Sequence, residues 1–115
     1  MSIKFGIIGC GRIAKRHAQH ISAHLYAELV SCFDIKQDAS DEFANNYNIE
    51  SESSLDRLLL NPSIDIVSIC APNGVHKEIA ILALKVGKNV LVEKPMALNK
   101  EDCQVVHYLP NSVTS

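Results

Sequence analysis

The chain predicts an α/β fold, a doubly wound parallel sheet, on three observations. Short apolar runs alternate throughout with stretches of helical periodicity. The runs are apolar at successive positions rather than at every second one, as strands covered on both faces require. Glycine-bearing or polar loops follow the runs, and right-handed crossovers bring such loops to a common edge of the sheet.

The first strand is predicted over 3–8, the apolar run from Ile3 to Ile8. A helix from Arg12 to about His24 follows, with Ile13, His17 and Ile21 on one stripe. Residues 28–34 form the second strand, and Asp38 to about Tyr47 a helix ending at Asn48, with a short strand near Ile49. Ser53 or Ser54 can cap a short helix over Leu55, Leu58 and Leu59, which Asn61-Pro62 terminates. The run from Asp65 to Cys70 is a further strand. His76 to Val86 reads as a helix closed by Gly87, 89–92 as the next strand, and Lys100 to about Leu109 as a last helix behind Asn99. No further strand is expected after it, and residues 110–115 are expected to fray.

Composition bounds what such a chain can do. At 115 residues, 47% hydrophobic and 21% charged, it reads as one globular domain, large enough to bury roughly two-thirds of its unfolded surface. The net charge of −2 and the lack of a basic stripe interleaved with aromatics exclude nucleic acid as the expected partner. No apolar run approaches the roughly 20 residues that span a bilayer, and the start lacks a signal peptide's pattern, so the cytoplasm is the expected location. The four cysteines form no Cys-x-x-Cys pair, which argues against a zinc or disulfide framework. Cys10 stands apart, because a helix N-terminus can lower a thiol's pKa; the alternative is a small filler in a tight turn. His17, His20 and His24 recur at helical spacing, but no carboxylate or cysteine is placed to complete a metal shell, so no metal is expected.

The chemistry concentrates at three loops. Gly9-Cys10-Gly11-Arg12-Ile13-Ala14 joins the first strand to the first helix. Gly9 allows the tight turn, Gly11 leaves the backbone open to phosphate oxygens, and Ala14 lets the helix sit close on the sheet. The helix's free N–H groups and positive dipole end then face an anion, so the loop reads as a dinucleotide cradle. Asp34 stands about 20 residues beyond, at the tip of the second strand, where a carboxylate accepts bonds from the adenosine ribose; alternatively, it caps the helix that follows. An acid there repels a 2′-phosphate and favours NAD. Lys36 offsets part of that repulsion and keeps NADP open. The second loop is Ala71-Pro72-Asn73-Gly74-Val75-His76, where Asn73 and His76 serve either the site or the turn. The third is Glu93-Lys94-Pro95, two opposite charges that would be costly at the end of a buried strand unless they face a solvated cleft.

These motifs together resemble the nucleotide-binding half of the glucose–fructose oxidoreductase, inositol dehydrogenase and MocA family of NAD(P)-dependent oxidoreductases. The likeness runs over about residues 3–106. It is carried by the glycine loop, the Ala71-Pro72-Asn73-x-x-His76 turn and the segment from Gly87 to Ala97. It implies a Rossmann-type sheet, with Arg12 and Ile13 against the pyrophosphate, Asp34 on the ribose, and Pro72, Asn73, His76 and Glu93 around the nicotinamide. Lys94 would stand beside the nicotinamide C4, where hydride passes to or from a sugar, polyol or nucleotide-sugar carbon. The bond before Pro95 is a candidate for cis. The stretch from Gly11 to His17, with Glu28-Leu29-Val30, looks like the members that oxidise the 3-hydroxyl of UDP-linked amino-sugar acids in surface-polysaccharide synthesis. Family members continue into a second α/β domain that carries acid/base partners and oligomer contacts. The resemblance therefore implies a truncated Rossmann unit with self-association and little turnover of its own. The competing reading is a non-catalytic NAD-binding or interaction module.

Overall fold

In the computed structural model the description covers residues 2–71, 73–94 and 104–108, with 73, 93, 94 and 104–108 placed as backbone only. Six strands form one sheet: β1 (Ile3–Ile8), β2 (Ala27–Phe33), β3 (Glu50–Ser51), β4 (Ile66–Ile69), β5 (Asn89–Lys94) and β6 (Gln104–Tyr108). Among the described residues, four helices connect β1 through β5: α1 (Arg12–Ala23), α2 (Gln37–Tyr47), α3 (Leu55–Leu59) and α4 (Asn73–Lys85). The strand order is β3-β2-β1-β4-β5-β6, so the chain reverses its direction of travel between β1 and β4. That reversal is the switch point at which open α/β sheets bind ligands.

All pairings from β3 through β5 are parallel, as expected of apolar strands joined by helices. The far edge departs from expectation. Residues 104–108, predicted to be helical, pair antiparallel with β5, Glu93 opposite Val105 and Lys94 opposite Gln104. The consecutive β-branched Val105 and Val106 favour the extended ladder over a helix. A further strand therefore does form, and Glu93 and Lys94 belong to β5 rather than to a loop beyond it. Asn99, the expected cap, and the 110–115 tail lie outside the described residues.

Smaller differences affect the site. α4 begins at Asn73, three residues before the expected start, so the Asn73-Gly74-Val75 turn is the helix's own first turn. β2 ends at Phe33, which places Asp34 just past the strand. Between Phe5 and Gly6 the register steps from Leu29 to Ser31, so β2 carries one extra residue, Val30, as a bulge.

Two cores cover the two faces. α1 and α2 bury Ala14, Ala18, Ile21, Phe43 and Ala44 against Ile7, Cys10 and Cys32. α3 and α4 bury Leu58, Leu59, Ile79, Ala83 and Leu84 against Ile8, Val67, Ile69, Val90 and Val92. Gly6 makes the second packing possible, since a Cβ there would stand 2.9 Å from Ile64 Cδ1 and 3.1 Å from Leu58 Cδ2. Asn48 closes α2 in the left-handed region at φ 54°, and Ser54 caps α3 by accepting the Arg57 N–H. Lys88 is buried and donates to the carbonyls of Asn61 and Ile64, each at 2.6 Å, tying the start of β5 to the α3–β4 connection. Burial holds its pKa below the usual lysine value.

Candidate functional site

Gly9 is where β1 leaves the sheet, and two independent constraints require a glycine there. Its φ is +91°, and a Cβ would lie 2.7 Å from the Ala71 nitrogen and 2.8 Å from the Cys70 carbonyl carbon. The loops after β1 and β4 thus touch backbone to backbone. The Gly9 N–H donates to the Phe33 carbonyl at 2.7 Å, and the Cys70 N–H to the Ile8 carbonyl at 2.7 Å, so the turn is held from both neighbouring strands.

Gly11 differs in kind. It is the N-cap of α1, nothing among the described residues lies within 4 Å of its side-chain position, and it supplies no side-chain cap. The first turn of α1 also holds no acidic residue. A helix start left without a side-chain acceptor, beside open space where a Cβ would have stood, fits an anionic group such as a diphosphate.

Asp34 joins the glycine loop to the β2–α2 turn. Its Oδ2 accepts the Cys10 N–H at 2.8 Å and its Oδ1 accepts the Lys36 N–H at 2.8 Å. It is therefore not the N-cap of α2: Lys36 holds that position and makes no side-chain cap bond. A carboxylate has about four accepting sites, so two remain for ribose hydroxyls.

A cleft of about 1160 Å³ opens over this edge. It brings together Gly9, Gly11, Arg12, Ile13, Asp34, Ala71 and His76, the greater part of the site read from the sequence. Pro72 and Pro95 lie outside the described residues. The side chains of Asn73, Glu93 and Lys94 do as well, although their backbones place Asn73 at the start of α4 and the other two at the end of β5. His76 donates its Nε2–H to the Ala71 carbonyl. The imidazole is thereby tethered to the loop that Gly9 touches.

Sequence reading missed one wall of the cleft. Ile35, 88% exposed, lines it together with Leu55, Val75, Ile79 and Leu82, and these supply apolar surface of the kind ligand clefts use. The available signal was an isolated isoleucine in a loop, directly after an acid, with no strand or helix to bury it.

Cys10 is a buried filler rather than an activated thiol. Hydrogen bonding with the Cys32 thiol, then burial, pushes its pKa well above the usual value, opposite to the lowering that a helix N-terminus could give. His17 and His20 of α1 and His24 just past its end do not converge. His17 is buried, with Nδ1 on the Ser68 hydroxyl and 3.5 Å from the Cys70 thiol, while His20 and His24 are exposed. No described helix is long and apolar enough to cross a membrane.

Comparison with known proteins agrees with this geometry. The model of an oxidoreductase family with an NAD-binding Rossmann fold matches residues 3–110. Glucose-6-phosphate 3-dehydrogenase of Bacillus subtilis is 38% identical over 103 residues, which are 90% of this chain and 29% of that enzyme. Inositol 2-dehydrogenase of Rhizobium meliloti is 34% identical over 101 residues, 88% of this chain and 30% of that one. Among solved structures, a UDP-N-acetylglucosamine 3-dehydrogenase from Acidithiobacillus ferrooxidans superposes with a TM-score of 0.74 at 31% identity, over 89% of this chain and 32% of that one. The chain thus spans about three-tenths of the length of the relatives it matches.

Proposed function

The chain belongs to the oxidoreductase family with an NAD-binding Rossmann fold, and from that premise we propose that it binds NAD in the switch-point cleft and serves hydride transfer to or from a sugar, polyol or nucleotide-sugar carbon. The observation that carries this reading is the uncapped start of α1 beside the open position at Gly11, with Asp34 bonded to the same loop at Cys10. Gly9, Gly11, Arg12 and Ile13 would hold the diphosphate and Asp34 the ribose. Ala71, Pro72, Asn73, His76 and Glu93 would border the nicotinamide. That ring, when bound, supplies the hydride acceptor or donor. Lys94, at the end of β5, would hydrogen-bond the reacting oxygen of the substrate and stabilise negative charge developing there.

Within the family, the reading favours oxidation at the 3-position of a nucleotide-linked amino sugar in surface-polysaccharide synthesis. Two relatives named as 3-dehydrogenases support that position. Asp34 favours NAD over NADP, and the cytoplasm is the proposed place of action. For the 115-residue chain by itself we expect binding without measurable turnover, and self-association through apolar surface at Ile3, Leu25 and Tyr26.

Calorimetric titration tests the reading. NAD should bind at least about tenfold more tightly than NADP. A flat titration with both would overturn the proposal. The same samples, incubated with NAD and sugars, polyols or nucleotide sugars, should form no NADH, and their scattering mass should exceed that of one chain. Clear turnover would remove the claim of inactivity.

A further inference from the structure

Asp34 has a second task that does not involve the ribose. Its carboxylate bonds two segments that both line the cleft, the glycine loop and the β2–α2 turn. It accepts one backbone N–H from each, Cys10 at 2.8 Å and Lys36 at 2.8 Å. The Cys10 N–H belongs to the residue between the two glycines. It lies beyond the β1 ladder, which ends at Ile8, and the Asp34 carboxylate takes it. Without an acceptor, this part-buried donor would lose a hydrogen bond to a charged group. It would also leave Gly9-Cys10-Gly11, two of whose three residues carry no side chain, free to explore other conformations.

We propose that Asp34 is a positioning residue for the diphosphate cradle: it clamps the Cys10 amide and so sets the shape of the glycine loop, independently of any bond to the ribose. This deepens the proposed dinucleotide reading and rests on it for the ligand. Two consequences follow from the geometry. Replacing Asp34 should weaken every ligand that uses the cradle, including one with no ribose hydroxyl. Changing cofactor preference from NAD to NADP should also need more than a substitution at this position, because removing the acid that repels a 2′-phosphate also releases the loop that holds the diphosphate.

The test pairs a change in the protein with a change in the ligand. Wild type and Asp34→Ala are titrated with ADP and with 2′,3′-dideoxy-ADP, which keeps the diphosphate and lacks both ribose hydroxyls. The clamp predicts that Asp34→Ala weakens dideoxy-ADP by about tenfold or more, and ADP by a larger factor. Equal dideoxy-ADP affinity in the two proteins would leave only the ribose role and overturn the proposal. Residue-resolved amide exchange in the ligand-free chain supplies a reading that needs no ligand. The Cys10 and Lys36 amides should exchange faster in Asp34→Ala, while Val67 and Val90 in the core keep wild-type protection. If wild type binds neither nucleotide, the dinucleotide reading fails, and exchange alone decides the clamp. If Asp34→Ala does not fold, Asp34→Asn takes its place: with one accepting oxygen facing two donors, at least one of the two amides must lose protection. Wild-type protection at both would overturn the clamp.

Discussion

The two faces of the sheet are built from different materials. The face under α3 and α4 is aliphatic, with Leu58, Ile64, Val67, Ile69 and Val90 almost wholly excluded from water. The face under α1 and α2 carries Cys10, Cys32, Ser40, His17 and Ser68 among its buried groups, joined by side-chain hydrogen bonds. Aliphatic packing is nondirectional and supplies stability, whereas a hydrogen-bonded face specifies position at some cost if any member is lost. The polar face is the one that supports the glycine loop and the start of α1. One side of the sheet therefore holds the domain together while the other aims the site.

The largest test of that division is Gly9→Ala. A Cβ there meets backbone on the β4 side and the φ of +91° is strained for any other residue, so no rotamer relieves it. NAD affinity should fall by about a hundredfold or be lost, and stability by about 3 kcal/mol, measured by calorimetry and denaturant unfolding. Undiminished affinity would break the link between that turn and the site. Next is Leu58→Ala on the aliphatic face, at a side chain with no exposure. It should cost about 2–5 kcal/mol of stability, yet leave NAD affinity within about twofold at a temperature where the variant is folded. A selective loss of affinity would show that the aliphatic face also aims the site. The smallest effect is expected at Ser31. Register places it beside Gly6, on the aliphatic side, and its hydroxyl is buried without a hydrogen-bond partner among the described residues. Ser31→Ala should be neutral or stabilising by about 1 kcal/mol, read as an unchanged or raised Tm. A clear loss would mean that the hydroxyl has an acceptor and that the face is less uniform than described.

Most of the fold was legible because strong local signals agreed with it. The run from Ile3 to Ile8, the Asn48 stop and the Ser54 cap each point to the element that forms. The β6 edge was not, because Gln104-Val105-Val106-His107-Tyr108 is short and its state is decided by pairing with β5, a contact absent from its own sequence. The start of α4 was misplaced for a related reason: Asn73 and Gly74 are turn formers by composition, and a helix's first turn accepts both. At the site, Gly9, Gly11 and Asp34 are residue types with one dominant use at such spacing, and the cleft brings the three together. The bond from the Cys10 amide to the Asp34 carboxylate and the His17–Ser68 contact depend on groups meeting across 24 and 51 residues, which no spacing rule reports.

The extra residue in β2 has a consequence for Asp34. Ironed flat, with Gly6 opposite Val30, that strand would carry its acid one step beyond Gly9, about 3.3 Å farther along the sheet. Ser31 and Cys32 would exchange sides. The kink at Val30 thus acts as a length adjuster, drawing the carboxylate back level with the turn it holds.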